Sequence, residues 1–114
     1  VKGVKKMPQF LIKGMKVEEI QKISKQMVNE LEEIIGCPRD YFRIECVDSI
    51  LIKDGDIIAG CPMVQVNWFD RGQEVQDKVA ISITKNIQDA GYEQVEIFFI
   101  VLERNKYYEN GMHL

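Results

Sequence analysis

The sharpest chemical feature of this 114-residue chain is a proline that follows a methionine and opens an apolar stretch, Met7-Pro8-Gln9-Phe10-Leu11-Ile12. Proline suits the first position of a strand, where no ladder N–H is needed. It acquires reactivity only at an amino terminus, where its ring nitrogen is a secondary amine held without a side-chain linker. A free α-amine titrates at about 7.7–8.0. An apolar pocket or neighbouring cations lower that value, because both disfavour the charged form. The neutral amine is then a general base or nucleophile near pH 7. A leader, Val1-Lys2-Gly3-Val4-Lys5-Lys6, stands before it. Lys-Gly-Val can be encoded AAA-GGA-GTG, which contains a ribosome-binding sequence a few bases ahead of a methionine codon. We expect translation to start at Met7, residues 1–6 being an upstream reading or a vector remnant, and methionine removal to expose Pro8. If the leader stays, the Pro8 nitrogen is an amide without basicity.

The other reactive residue types point to little. Cys37, Cys46 and Cys61 form no C-x-x-C. An odd count at these spacings gives neither a disulfide framework nor a zinc site, so packed thiols in a reducing cytoplasm are expected. His113 is the only histidine, which argues against a Ser-His-Asp triad or a histidine-rich metal site. The formal net charge is −3. That argues against a nucleic-acid partner, whose phosphates need a basic face. No apolar run approaches a membrane span. No metal and no organic cofactor is expected.

The elements that must position Pro8 follow from periodicity. Gln9–Lys13 reads as a strand. Val17, Ile20, Ser24, Met27 and Leu31 recur at three- and four-residue steps, predicting a helix over Val17–Ile35 that Gly36 stops. Phe42–Val47 alternates as a strand, with Phe42, Ile44 and Cys46 on one face and Arg43 and Glu45 on the other. Ile50–Ile58 is apolar around Asp54-Gly55, a hairpin signal. Pro62–Phe69 is the next strand, with Trp68 read as core. Asp70 and Gln73 fit a capping box ahead of a second helix over Gln73–Ala90, which Gly91 ends. Gln94–Leu102 is strongly β, and Asn110-Gly111 suggests a late turn.

These elements repeat at about 54 residues. Pro8 opens one half and Pro62 the other; each helix ends on glycine, and Arg43-Ile44-Glu45 matches Gln94-Val95-Glu96. A strand, a crossover helix and a parallel strand make a right-handed unit. We therefore expect an α/β (α+β) domain over 7–114, with repeat halves at about 8–49 and 62–104. Two βαβ repeats would form a four-stranded mixed sheet with two helices on one face, plus a short hairpin. Leu11, Met63, Phe69, Phe98, Ile100 and Leu102 would point to the other face, and an apolar face of that size implies self-association.

Pro8 after methionine, the two βαβ halves and the length resemble the tautomerase superfamily, which includes 4-oxalocrotonate tautomerase and macrophage migration inhibitory factor. Trp68-Phe69-Asp70-Arg71-Gly72-Gln73-Glu74-Val75-Gln76-Asp77 and Tyr107-Tyr108-Glu109-Asn110-Gly111 further resemble a bacterial family of uncharacterised function within it. The resemblance implies a homotrimer with inward-facing sheets. It also implies an amino-terminal proline that shuttles a proton between carbon and oxygen of a small anionic keto or enol acid, while arginines hold the carboxylate. Pro8 matches the catalytic proline. Arg43 matches an arginine that polarises the substrate, and Arg71 resembles a carboxylate-binding arginine. Lys16 is a weaker candidate for that second role. Cys37 stands where migration inhibitory factor has a lysine, and Glu96 and Phe98 stand near the positions of its pocket tyrosine and asparagine. Phe98, Tyr107 and Tyr108 are further candidates to line the pocket, or to pack between subunits. A Glu96 carboxylate close to Pro8 would raise the amine's pKa.

The alternative on the same fold is a non-enzymatic small-molecule-binding or assembly protein, since fold does not set function. A ferredoxin-like sheet binding RNA or a metabolite shares the element order, but aromatic stacking residues and a basic charge are missing.

Overall fold

A computed structural model describes residues 7–113; the expected leader, residues 1–6, lies outside them. The chain runs β1 (Gln9–Lys13), α1 (Val17–Ile35), β2 (Arg43–Val47), β3 (Leu51–Lys53), β4 (Asp56–Ile58), β5 (Met63–Trp68), α2 (Gln73–Asp89), β6 (Glu96–Val101), β7 (Tyr108–Glu109) and β8 (Met112–His113). The main sheet has the order β2-β1-β5-β6. β1 pairs parallel with β2 and antiparallel with β5, and β5 pairs parallel with β6. This is the expected pair of βαβ units joined through their opening strands. Because β1 and β5 are antiparallel, the halves are related by an approximate two-fold, and Pro8 and Pro62 begin at opposite ends of the sheet.

The repeat is written into the hydrogen bonds. The Pro8 carbonyl accepts from the Arg43 N–H at 3.2 Å, and the Pro62 carbonyl accepts from the Glu96 N–H at 3.0 Å. Each opening proline thus fastens the start of its own parallel partner. Where the halves meet at the other end, Gly14 has φ +85, and a Cβ there would lie 2.6 Å from the Cys61 carbonyl oxygen. Only glycine combines that backbone with that approach.

One sheet face carries Phe10, Ile12, Val64, Val66 and Trp68, all fully buried under α1 and α2. The helices contribute Ile20, Met27 and Leu31, and Val79, Ile83 and Ile87. Lys16 precedes α1, and its backbone N–H donates to Glu19 Oε1 at 2.9 Å. The acidic first turn also suits the positive end of the helix dipole. The start of α2 differs from the expected capping box. The residue before the helix is Gly72, at φ 89. Asp70 Oδ1 instead accepts from the Gly72 N–H at 2.9 Å, and the Gln73 side chain bonds Asp77. Turning from β5 onto the helix layer takes two more residues than the spacing of Asp70 and Gln73 implied.

Among the described residues no element covers the opposite face. Met63, Phe98 and Ile100 are about 40% exposed there, and Leu11 is half-buried. Phe69, expected on that face, is instead buried at 6%. The strand has ended, and the segment after β6 folds over the ring. A polar row crosses the bare face: Gln65 Nε2 donates to Asn67 Oδ1, and Asn67 Nδ2 to Gln9 Oε1. The Asp54-Gly55 turn closes β3 and β4 into a hairpin that, among the described residues, has no partner strand in the main sheet. Its Ile50, Ile52 and Ile57 are all strongly exposed. Among the described residues no helix is long and apolar enough to cross a membrane.

Candidate active site

Pro8 stands just ahead of β1 and is fully buried. Four segments reach the same end of the sheet. The antiparallel register Gln9↔Asn67 carries β5 past Pro8 into Trp68, Phe69 and the Asp70-Arg71-Gly72 loop. The parallel register Gln9↔Arg43 starts β2 beside it. The helix α1 runs back along β1 and ends at Gly36, so Cys37 arrives there too. Finally, the Leu102 N–H donates to the Trp68 carbonyl at 2.7 Å, which brings the segment after β6 alongside.

The side chains at this end are rich in cations. Arg43 is exposed and shares the bare face with Gln9. Arg71 Nε is fully enclosed and has no hydrogen-bond partner among the described residues. Its guanidinium lies close enough to Cys37 to pull that thiol down, but burial is the larger effect and raises it above its ordinary value. Cys37 is therefore a protonated, packed thiol rather than a nucleophile. Arg104 lies over the Phe69 ring with its guanidinium carbon 4.9 Å from the centroid. Tyr107 meets the same ring edge-on at 5.7 Å.

Pro8, Arg43, Arg71 and Tyr107 are thus brought to one end. The remaining candidates are not. Lys16 lies at the far end of β1, where it borders a cavity of about 780 Å³ beneath the hairpin with Met15, Leu51, Ile58 and Tyr92. Phe98 lies mid-strand on the bare face, opposite Gln65. Tyr108 is exposed on the terminal hairpin, stacked on His113 at 5.4 Å. Glu96 pairs with Met63 at the end away from Pro8, so within one chain its carboxylate does not press on the proline. Sequence reasoning did not single out Arg104; only the topology sets it on Phe69. Among the described residues no group of histidine, cysteine or acidic side chains could hold a metal ion.

The segments that carry Arg43, Arg71 and Arg104 thus share the Pro8 end of the sheet, and guanidinium groups are suited to gripping a small acid through charge-assisted bonds. A family model described as a domain of unknown function, DUF1904, matches residues 7–113. The chain belongs to that family. A crystal structure of a DUF1904 domain from Sebaldella termitidis ATCC 33386 is similar at 33% identity, with a TM-score of 0.88 over 95% of this chain and 100% of that one. A macrophage migration inhibitory factor-like protein from Entamoeba histolytica shares the fold at 18% identity, with a TM-score of 0.70 over 95% and 99%. A fused 4-OT solved as an asymmetric trimer shares it at 14% identity, with a TM-score of 0.77 over 93% and 95%. No curated protein matches the chain. The DUF1904 fold is thus tautomerase-like, as the sequence led us to expect.

Proposed function

We propose that this DUF1904 protein catalyses tautomerase-like proton transfer on a small anionic keto or enol acid, with Pro8 as an amino-terminal base. The observation that carries this reading is the convergence of Pro8, Arg43 and Arg71 at one end of the sheet. The neutral ring nitrogen takes a proton from one site of the substrate and returns it at another, so no atom is gained or lost. Arg43 and Arg71 hold the carboxylate and stabilise the enolate oxygen that forms between the two transfers. A cationic surrounding and burial both favour the neutral amine at pH 7. The proton transfer itself requires neither a metal nor an organic cofactor.

Two features bear on the active form. Met7 is 3% exposed, so removing it both frees the nitrogen and vacates a space beside it. Lys16 and Phe98 could reach that space only from a neighbouring copy. Burial of the bare sheet faces in a homotrimer would supply one, an arrangement supported by the fused 4-OT trimer of the same fold. A second reading, an assembly protein without turnover, is favoured by the exposed hairpin and bare sheet face, because these serve association whether or not Pro8 is free.

Protein beginning at Pro8 should turn over at least one member of a panel of 2-hydroxy-dienoates, phenylpyruvate and halo-acrylates. The same protein carrying residues 1–6 and Met7, and the Pro8→Ala variant, should each lose about 10²-fold or more, the usual contribution of a general base. Equal rates from all three would remove the amine mechanism and leave the assembly reading.

A further inference from the structure

We propose that the amide row on the bare sheet face is a recognition element for a second copy of this chain, the spare donor at the Gln9 end of one row meeting the spare acceptor at the Gln65 end of a neighbour's. The inference rests on reading the bare faces as meeting in a homotrimer, and it adds which groups make them fit.

Three observations carry it. First, the row has a direction. Gln65 Nε2 donates to Asn67 Oδ1 at 2.9 Å, and Asn67 Nδ2 donates to Gln9 Oε1 at 3.1 Å. The inner groups are thereby used. Among the described residues Gln9 Nε2 and Gln65 Oε1 have no hydrogen-bond partner. Turning all three amides over would exchange the two ends and still leave a donor at one and an acceptor at the other.

Second, the row lies on the two central strands, next to apolar side chains. Gln9 is opposite Asn67, and Gln65 stands between Leu11 on β1 and Phe98 on β6. Ile100 flanks Asn67. The three amides are half-buried in one copy, while Phe98 and Ile100 are exposed. Whatever covers those two side chains also takes water from the row. A spare amide group then costs stability unless the cover supplies a partner. An acyl chain or another wholly apolar cover supplies none.

Third, a second copy matches the row without remainder. Each chain brings a spare donor and a spare acceptor, so a closed ring of copies pairs them all. The charges of the face are balanced as well. Lys13 and Arg43 share it with Glu45 and Glu96, all exposed, so like faces do not repel through net charge. A polar contact inside an apolar one also fixes register, because sliding one copy over the other unpairs it.

The test is sedimentation velocity over a concentration series, on protein beginning at Pro8 and on two variants whose folding is checked by circular dichroism. Gln65→Met removes the spare acceptor and leaves the neighbour's Gln9 donor unpaired. The triple variant Gln9→Met/Gln65→Met/Asn67→Leu leaves no amide to satisfy. Each change makes the face more apolar, so a contact that ignored the row would tighten. The proposal expects a trimeric parent and a Gln65→Met variant that dissociates at about 10–100-fold higher concentration, the range for stranding a buried polar group. The triple variant should assemble more tightly than Gln65→Met, since replacing both partners by apolar groups is close to neutral. A Gln65→Met variant that assembles as tightly as the parent, or more so, overturns the proposal. So does a triple variant no tighter than Gln65→Met. A monomeric parent removes the homotrimer reading and this proposal together, whereas a trimeric parent indifferent to Gln65 removes the proposal alone. None of these outcomes depends on turnover, so the proton-transfer reading stands or falls separately.

Discussion

A single carboxylate shows how residue-scale chemistry ties the two helices together. Glu30 on α1 accepts from Gln26 Nε2 at 2.8 Å, Ser82 Oγ at 2.8 Å and Asn86 Nδ2 at 3.1 Å. Ser82 and Asn86 are 6% and 5% exposed, so their donors have no solvent to fall back on. The Gln26 bond, then the Ser82 bond, hold the Glu30 carboxyl below its ordinary value of 4.5, against a smaller opposing effect of burial. Replacing Glu30 by alanine strands buried donors and should cost about 1–3 kcal/mol at pH 7, measured by urea unfolding. A depressed folded-state pKa means the stabilisation is complete above the unfolded value and is lost as pH falls through the folded one. The gap between parent and Glu30→Ala should therefore shrink as pH falls below 4.5. A gap that stays constant down to pH 3 would mean that the charge plays no part. None of this was legible in the sequence, where Glu30 is one of many acids on a helix. Pro8 stood out as a candidate because its type and position would carry the proposed chemistry. Arg43 and Arg71 came into view only through the resemblance, and Arg104 was missed, because which strand lies beside which is not a local property of the sequence.

At the scale of elements the sequence was a better guide, since helix and strand periods are local. Val17–Ile35 and the Asp54-Gly55 hairpin appear as read. The error at Asp70 was one of turn chemistry: an acid two residues before a glycine can serve that glycine's N–H as readily as a helix end. Gly14 shows a constraint that periodicity cannot express. It reads as a loop glycine, yet it stands where the first half crosses the entry to the second. Its positive φ and the nearby Cys61 carbonyl exclude a side chain. Gly14→Ala should destabilise the protein by about 2–3 kcal/mol through backbone strain and collision with main chain. Gly36→Ala is the control, because a Cβ there meets nothing within 4 Å although its φ is also positive. If both variants unfold at the same denaturant concentration, contact between the halves is not what Gly14 protects.

At the scale of the molecule, the chain has more apolar surface than one copy can hide. The helices cover one sheet face, while Met63, Phe98 and Ile100 stand uncovered on the other. The hairpin adds Ile52 and Ile57, on two strands that pair only with each other. An isolated two-stranded hairpin is marginal in water, so cover over its exposed isoleucines from a second copy would add to its stability. Both surfaces can be satisfied by copies of the same chain if the contacts close into a ring rather than run on as a fibre. A charge placed on the bare face should break such a ring without touching the helix-covered core. Phe98→Glu is the substitution of choice, because the ring is 43% exposed in one copy and no described aromatic packs on it. In sedimentation velocity the parent should behave as a particle of about three times its 13.2 kDa chain mass, and Phe98→Glu as a single chain that keeps its helical circular dichroism. A parent that sediments as a monomer at micromolar concentration would leave Lys16 and Phe98 permanently remote from Pro8. The proposed reading would then have to rest on Arg43 and Arg71 alone.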